Sequence, residues 1–143
     1  MPDTAPVCEV TLPNDTAALP RLADAVTAFC AANALGEQWR HDLNLALEEA
    51  VSNVMLYAYH DHAAHTILVR LAVDGTAVHA TIEDDGVAFN PLDAPAPDLT
   101  VPVEERPIGG LGILFVKELM DDVRYARRHG KNVLELVKCL TPS

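Results

Sequence analysis

The chain has 143 residues, a formal net charge of −11 and 50% hydrophobic residues. Its length and composition suit one globular domain, residues 1–143, with its own hydrophobic core. The acidic balance argues against nucleic-acid partners and anionic membranes, because both need a positively charged surface. A basic protein, or a ligand that arrives with its own cation, fits this charge better.

The cysteines and the N-terminal segment indicate a soluble cytoplasmic protein. Cys8, Cys30 and Cys139 are odd in number and far apart, which favours neither a disulfide framework nor a zinc site. The first residues lack the basic and apolar regions of a signal peptide. No window approaches the ~18 apolar residues of a membrane span.

The first part of the chain predicts one strand followed by one helix. Residues 7–12 alternate in polarity, as a strand does. Asn14 and Asp15 offer N-caps for a helix over residues 16–34, with Pro20 as the alternative start, and Gly36 is the expected stop.

The second predicted helix, residues 37–59, contains the segment LEEAVSNVMLYAY. Glu49 and Asn53 are four residues apart and therefore share one face of this helix. Such a pair is typical of a solvated polar edge. The alternative is a general base beside an amide oxygen that binds a hard cation such as Mg²⁺.

Two strands come next, residues 66–74 and 76–84, and Asp74-Gly75 predicts a hairpin turn between them. The second strand leads into IEDDGVAFNP. This segment is either an ordinary turn or a binding site, in which a strand-end aspartate accepts a hydrogen bond from an exocyclic amine. Gly86 would let the backbone approach a flat ring.

A proline-rich loop precedes GGLGI, residues 109–113, which opens a short predicted helix. The glycines indicate either a flexible turn or an anion site built from the free N–H groups of the first helical turn. Residues 123–128 and 132–139 are the last two predicted strands. The arginines of this hairpin, Arg124, Arg127 and Arg128, are interpreted as a solvated strand edge.

The order of elements, β-α-α-β-β-loop-α-β-β, predicts the fold class α+β. We expect a two-layer α/β sandwich, in which a mixed, mostly antiparallel sheet carries helices on one face. No internal repeat and no second domain are apparent.

Taken in order, EEAVSN, DDGVAF and GGLGI resemble the N box and the two glycine boxes of the GHKL (Bergerat-fold) ATP-binding superfamily. The resemblance covers almost the whole chain. LALEEAVSNVMLYAY and GGLGILFVKELMDDVRY are most similar to the stand-alone serine/threonine kinases that act as anti-sigma factors in bacterial partner switching.

The resemblance implies ATP and Mg²⁺ as cofactors and assigns roles to individual residues. Glu49 would be the general base, and Asn53 would bind Mg²⁺. Asp84 would hold the adenine amino group, and residues 90–108 would form a lid. The remaining nucleotide contacts would come from the glycine boxes: Gly86 and Ala88 in the first, and Gly110, Leu111 and Gly112 in the second. Ala88 stands where the family usually has glycine, and its methyl group could narrow the approach to the nucleotide.

The implied function is phosphorylation of a small anti-anti-sigma (STAS-like) protein, together with binding of a sigma factor or an equivalent output protein. Homodimerisation is also implied. One alternative is a non-catalytic module that binds ATP or ADP and regulates a partner without transferring phosphate. Another is a plain ATPase that releases inorganic phosphate without any partner.

Overall fold

The computed structural model describes residues 8–59, 65–90 and 112–140. Within these ranges the chain forms five strands and three α-helices. In chain order they are β1 Cys8–Pro13, α1 Leu19–Ala32, α2 Glu37–Tyr57, β2 Thr66–Asp74, β3 Ala77–Asp84, α3 Gly112–Leu119, β4 Asp122–Arg128 and β5 Lys131–Cys139. The predicted order of elements is confirmed.

The five strands form one sheet in the order β1-β2-β3-β5-β4. All four pairings are antiparallel. The predicted fold class, α+β with a mostly antiparallel sheet, is therefore confirmed, and no parallel pair occurs in the described sheet. Strand β5 enters between β3 and β4, so the end of β3 lies beside the start of β5.

The core lies between the helices and one face of the sheet. Along β3, buried and half-buried residues alternate without a break, because successive side chains of a strand point to opposite faces. Leu22 of α1, Leu47 of α2, Ile82 of β3 and Leu136 of β5 are all almost fully buried. Each such side chain contributes about 1.5–3 kcal/mol relative to full exposure.

The two hairpin turns use left-handed backbone conformations. Gly75 follows Asp74 with φ of 60°, which confirms the turn predicted from the Asp-Gly dipeptide. In the β4–β5 turn, His129 and Gly130 both have positive φ, 53° and 76°. These turns fix the registers of the two hairpins.

The first helix starts near the alternative start at Pro20 but ends earlier than predicted. Thr16–Ala18 forms a 3₁₀ turn, and α1 begins at Leu19. The helix ends at Ala32, and Ala34, not glycine, takes the left-handed conformation with φ of 57°. The Leu35 N–H then donates to the Cys30 carbonyl at 2.9 Å, which closes the helix end. Gly36 is instead the N-cap of α2.

In the described part of the chain, no helix is long and apolar enough to cross a membrane.

Candidate functional site

The polar stripe of α2 lies at the border of its buried face. Asn53 is 3% exposed, whereas Glu49 is half-buried. Asn53 Oδ1 and, on the same helix, Asn44 Oδ1 are buried atoms to which nothing among the described residues donates a hydrogen bond. A buried acceptor without a partner costs about 1–3 kcal/mol. A solvated polar edge does not account for Asn53, because its side chain is buried.

Glu49 lies one turn before Asn53 on α2. Burial raises the pKa of the Glu49 carboxyl, and the neighbouring negative charge of Glu48 raises it further. The Ser52 hydroxyl bonds within its own helix, where it donates to the Glu49 carbonyl at 3.1 Å. A carboxylate with a raised pKa is suited to accept a proton.

Asp84 is the last residue of β3 and is 3% exposed. Its Oδ1 accepts hydrogen bonds from the Gly86 N–H and from Asn132 Nδ2, each at 2.9 Å. Burial raises the pKa of Asp84, while these two hydrogen bonds and the positive charge of Arg127 oppose the rise. Both of these hydrogen-bond donors bind Oδ1 and not Oδ2.

Gly86 lies against the end of α2. A Cβ at residue 86 would be 2.3 Å from the Ala58 carbonyl oxygen and 2.8 Å from the Ala58 Cβ. The next residue, Val87, donates its N–H to the same carbonyl at 2.8 Å. Glycine is therefore required here by the close approach of two backbone segments. This contact fixes the turn after β3 to the helix that carries Asn53.

Asn132, which the sequence analysis did not select, joins the segments around Asp84. It is 3% exposed and lies directly opposite Asp84 in the β3–β5 register. Its Nδ2 also donates to the Val87 carbonyl at 2.8 Å. Its Oδ1 accepts from the Phe89 N–H at 3.1 Å and from the Tyr125 hydroxyl at 2.5 Å. The signal was present in the sequence: Asn132 is in phase with Leu134 and Leu136, so a polar residue occupies a buried-face position of β5.

Arg127 contacts the turn after β3 from the solvated strand edge that the sequence predicts. β4 is an edge strand, and Arg124, Arg127 and Arg128 are all exposed on it. Arg127, however, lies opposite Asn132 in the β4–β5 register, and its Nη1 donates to the Gly86 carbonyl at 2.8 Å. A guanidinium at this place brings positive charge toward the Asp84 carboxylate.

The remaining predicted site residues lie partly inside and partly outside the described ranges. Ala88 lies inside them and is exposed. Gly112 is the first residue of α3, which packs against α2. Gly110, Leu111 and residues 91–108 of the expected lid lie outside the described residues. Two of the three predicted segments, those of Asn53 and of Asp84, are thus connected by direct contacts, and the third is represented by the helix that it opens.

The family comparison identifies the domain type. The model of the family described as "Histidine kinase-like ATPase domain" matches residues 12–138 of this chain. This match includes both segments that the structure connects, and almost all of the described chain.

Three curated relatives illustrate what the chain is similar to. The anti-sigma F factor of Anoxybacillus flavithermus is 25% identical over 103 residues, which cover 71% of this chain and 70% of that protein. The serine/threonine-protein kinase BtrW of Bordetella bronchiseptica is 29% identical over 113 residues, 76% of this chain and 80% of that protein. The serine-protein kinase RsbW of Bacillus cereus is 34% identical over 98 residues, 65% of this chain and 60% of that protein.

A solved structure shares the fold. The crystal structure of the RsbU and RsbW domains of a Mycobacterium tuberculosis protein superposes with a TM-score of 0.66. The match is 18% identical in sequence and covers 97% of this chain and 34% of that longer chain. The expected fold is thereby confirmed at the level of backbone architecture.

Proposed function

The chain belongs to the family of histidine kinase-like ATPase domains, and from this premise we propose that it is an ATP-dependent serine/threonine protein kinase that acts as an anti-sigma factor. It would transfer the γ-phosphoryl group of ATP to a hydroxyl of a small anti-anti-sigma-like protein. The single observation that carries the proposal is the buried Oδ1 of Asn53, to which no described residue donates, one helical turn from the half-buried carboxyl of Glu49.

The residues present fit Mg²⁺ bound together with nucleotide. An amide oxygen is a hard donor, and Mg²⁺ in such sites takes few protein ligands and shares the substrate phosphates. Asn53 Oδ1 would hold the ion. When bound, Mg²⁺ neutralises charge on the phosphates and lowers the barrier to transfer.

Glu49 is proposed as the general base of the transfer. Its raised pKa increases its affinity for a proton from the attacking hydroxyl, and its position on α2 places it on the same face as Asn53. Proton removal by a positioned carboxylate contributes about 10²–10⁴-fold to the rate of such a reaction.

The turn after β3 is proposed to bind the adenine ring of the nucleotide. Asp84 Oδ2 is the acceptor for the adenine amino group, since Oδ1 is already occupied by Gly86 and Asn132. Arg127 and the end of α2 keep this turn in place through the Gly86 and Val87 backbone. Gly110, Leu111 and Gly112 are proposed to offer N–H groups to the phosphates, and residues 90–108 are proposed as the lid.

The proposed partners are a STAS-like anti-anti-sigma protein, as substrate, and a sigma factor or an equivalent output protein. The names of the curated relatives support this pairing of roles, since one is an anti-sigma factor and others are serine kinases. A homodimer in the cytoplasm is part of the same proposal.

A non-catalytic ATP- or ADP-binding regulatory module is the second candidate. One observation favours it: within the described ranges, no hydrogen bond orients the Glu49 carboxylate, whereas several hold the turn proposed to bind adenine. Such a site suits nucleotide binding without an oriented general base.

Transfer of labelled phosphate from ATP to a STAS-domain protein of the same genome distinguishes the two candidates. The kinase proposal requires transfer by the wild type, a loss of at least about 100-fold in Glu49→Gln, and unchanged ATP affinity in that variant. Glu48→Gln is the matched control, because Glu48 is exposed on the same helix. This variant should keep most of the transfer activity. ATP binding without transfer to any such protein would support the regulatory module. No ATP binding would refute both.

A further inference from the structure

A short basic segment lies on the surface of this acidic molecule. Residues 124–131, which include the turn between β4 and β5, carry four of the ten Lys and Arg residues of the chain and no Asp or Glu. The rest of the chain holds the other six cations and all 21 acids. We call residues 124–131 the basic hairpin. Its four cationic side chains are all exposed: Arg124, Arg127, Arg128 and Lys131.

Within the described ranges, carboxylates neutralise only part of this charge. Arg124 pairs with Asp122 at 2.6 Å, and Lys131 Nζ lies 3.6 Å from a carboxylate oxygen of Glu83. No carboxylate of the described residues pairs with Arg128. The end of the basic hairpin therefore keeps a positive charge in the folded protein.

Two of the cations face each other across the hairpin. Arg128 and Lys131 lie directly opposite in the β4–β5 register. Like charges in such a cross-strand pair destabilise a sheet. Charged side chains on an edge strand hinder pairing with another chain, but a carboxylate at residue 128 would hinder it as well and would pair favourably with Lys131. Protection of the edge thus does not account for two cations here, whereas an anion bound between them would remove their repulsion.

We propose that the basic hairpin is a docking surface for an acidic segment of a partner protein. This inference goes beyond the proposed function and does not depend on nucleotide binding. An extended segment rises about 3.3 Å per residue, so about five residues reach from Arg124 to Arg128. Asp or Glu at alternate positions of such a segment would all face the hairpin, because alternate residues of a strand share one face.

The charge of the rest of the molecule favours a short ligand. The chain has a formal net charge of −11, so a long polyanion, such as duplex DNA or an anionic membrane, would also meet repulsive acidic surface. Exposed charges more than about 8 Å apart are largely screened at physiological ionic strength. A short acidic peptide at the hairpin is therefore attracted by the nearby cations and is little affected by the distant acids.

The test is the affinity of a short poly-glutamate peptide, measured by fluorescence anisotropy at low and at physiological salt. The wild type should bind this peptide but not poly-glutamine of the same length, and its affinity should fall as salt rises. Arg128→Glu should bind at least about tenfold more weakly, as for the loss of one bond to a charged group. Lys117→Glu is the matched control, since Lys117 is exposed on α3 and the change in net charge is the same. This variant should keep the wild-type affinity.

Thermal unfolding separates a loss of docking from misfolding. Arg128→Glu places an opposite charge across from Lys131, so its unfolding midpoint should rise while peptide binding is lost. Arg128→Gln should lie between this variant and the wild type in both measurements. A lower midpoint in Arg128→Glu would overturn the argument that the two cations reduce stability.

The proposal is overturned if the wild type does not bind poly-glutamate, or if Arg128→Glu and Lys117→Glu lose equal affinity. Tighter binding of duplex DNA or of phosphatidylserine vesicles than of the peptide would also overturn it, in favour of those polyanions. Self-association of the wild type in sedimentation, abolished by Arg128→Glu, would show that a second copy of this chain occupies the surface instead. A protein that binds the peptide but not ATP would refute the proposed function and leave the docking surface intact.

Discussion

The carbonyl of Ala58, at the end of α2, accepts the N–H of Val87 at 2.8 Å, and Gly86 packs directly against it. This contact connects the helix that carries Glu49 and Asn53 to the turn that carries Asp84. The relative position of the proposed metal ligand and the proposed base-binding carboxylate therefore depends on one backbone junction, and replacing its residues should affect folding and binding together.

Gly86→Ala should lower the free energy of unfolding by about 1–3 kcal/mol, as overpacking does in a close-packed region. The reason is that the new Cβ would be 2.3 Å from a backbone oxygen, which cannot rotate away. Denaturant unfolding measures the effect. Gly36→Ala is the matched control: nothing lies within 4 Å of its Cβ position, and only a capping cost of up to about 1 kcal/mol is expected there. Equal losses in the two variants would contradict the packing role of Gly86.

Asn53→Ala should separate stability from binding. Removing the amide loses packing but also removes an unsatisfied buried oxygen, so the free energy of unfolding should change by less than about 1 kcal/mol. The Mg²⁺ dependence of ATP affinity should disappear, because the proposed ligand of the ion is gone. Calorimetry with and without Mg²⁺ tests this, with Ser52→Ala, whose hydroxyl bonds within the helix, as the control. A large loss of stability in Asn53→Ala with intact Mg²⁺ dependence would assign Asn53 to the core instead.

Glu49→Gln should make the protein more stable at neutral pH. The pKa of Glu49 lies above its ordinary value of 4.5, because burial and then Glu48 disfavour the ionised form. The folded state thus holds this proton more tightly than the unfolded state, and the Glu49 contribution to stability is fully present below pH 4.5 and is lost as pH rises through the raised pKa.

Unfolding curves at a series of pH values test this sign. The stability advantage of Glu49→Gln should be absent below pH 4.5, should grow as the pH rises through the raised pKa of Glu49, and should stay constant at higher pH. When Glu48→Gln is also present, the pKa of Glu49 should be raised less, because one cause of its rise is removed. The pH-dependent gain in stability from Glu49→Gln should then be complete at a lower pH. A stability advantage that is independent of pH would show that ionisation of Glu49 is not its source.

Arg127→Ala should weaken nucleotide binding by about threefold to tenfold. It removes a charged donor to the Gly86 carbonyl, and the value is at the low end for such bonds because the side chain is largely exposed. Arg124→Ala is the matched control on the same strand. Arg124 pairs with Asp122 at 2.6 Å on the exposed edge, so its loss should leave affinity unchanged. An equal loss in both variants would point to general charge and not to the Gly86 contact.

The sequence by itself determined the order of the elements, the two hairpins and the pairing of Glu49 with Asn53. These features are local: alternation, dipeptide turns and the four-residue helical spacing act within a few residues of one another. The end of α1 was predicted wrongly because Ala34, and not Gly36, takes the left-handed conformation. This conformation lets the Leu35 N–H donate to the Cys30 carbonyl.

Only the tertiary structure decided what surrounds Asp84. The strand order β3-β5-β4 places Asp84, Asn132 and Arg127 in one row, although Asp84 lies 48 residues from Asn132 in sequence. Spacing along the chain does not predict that Asp84 joins this row, because its place depends on which strand inserts between which others. In the same way, the requirement for glycine at residue 86 arises from the approach of α2, which no pattern near Gly86 encodes.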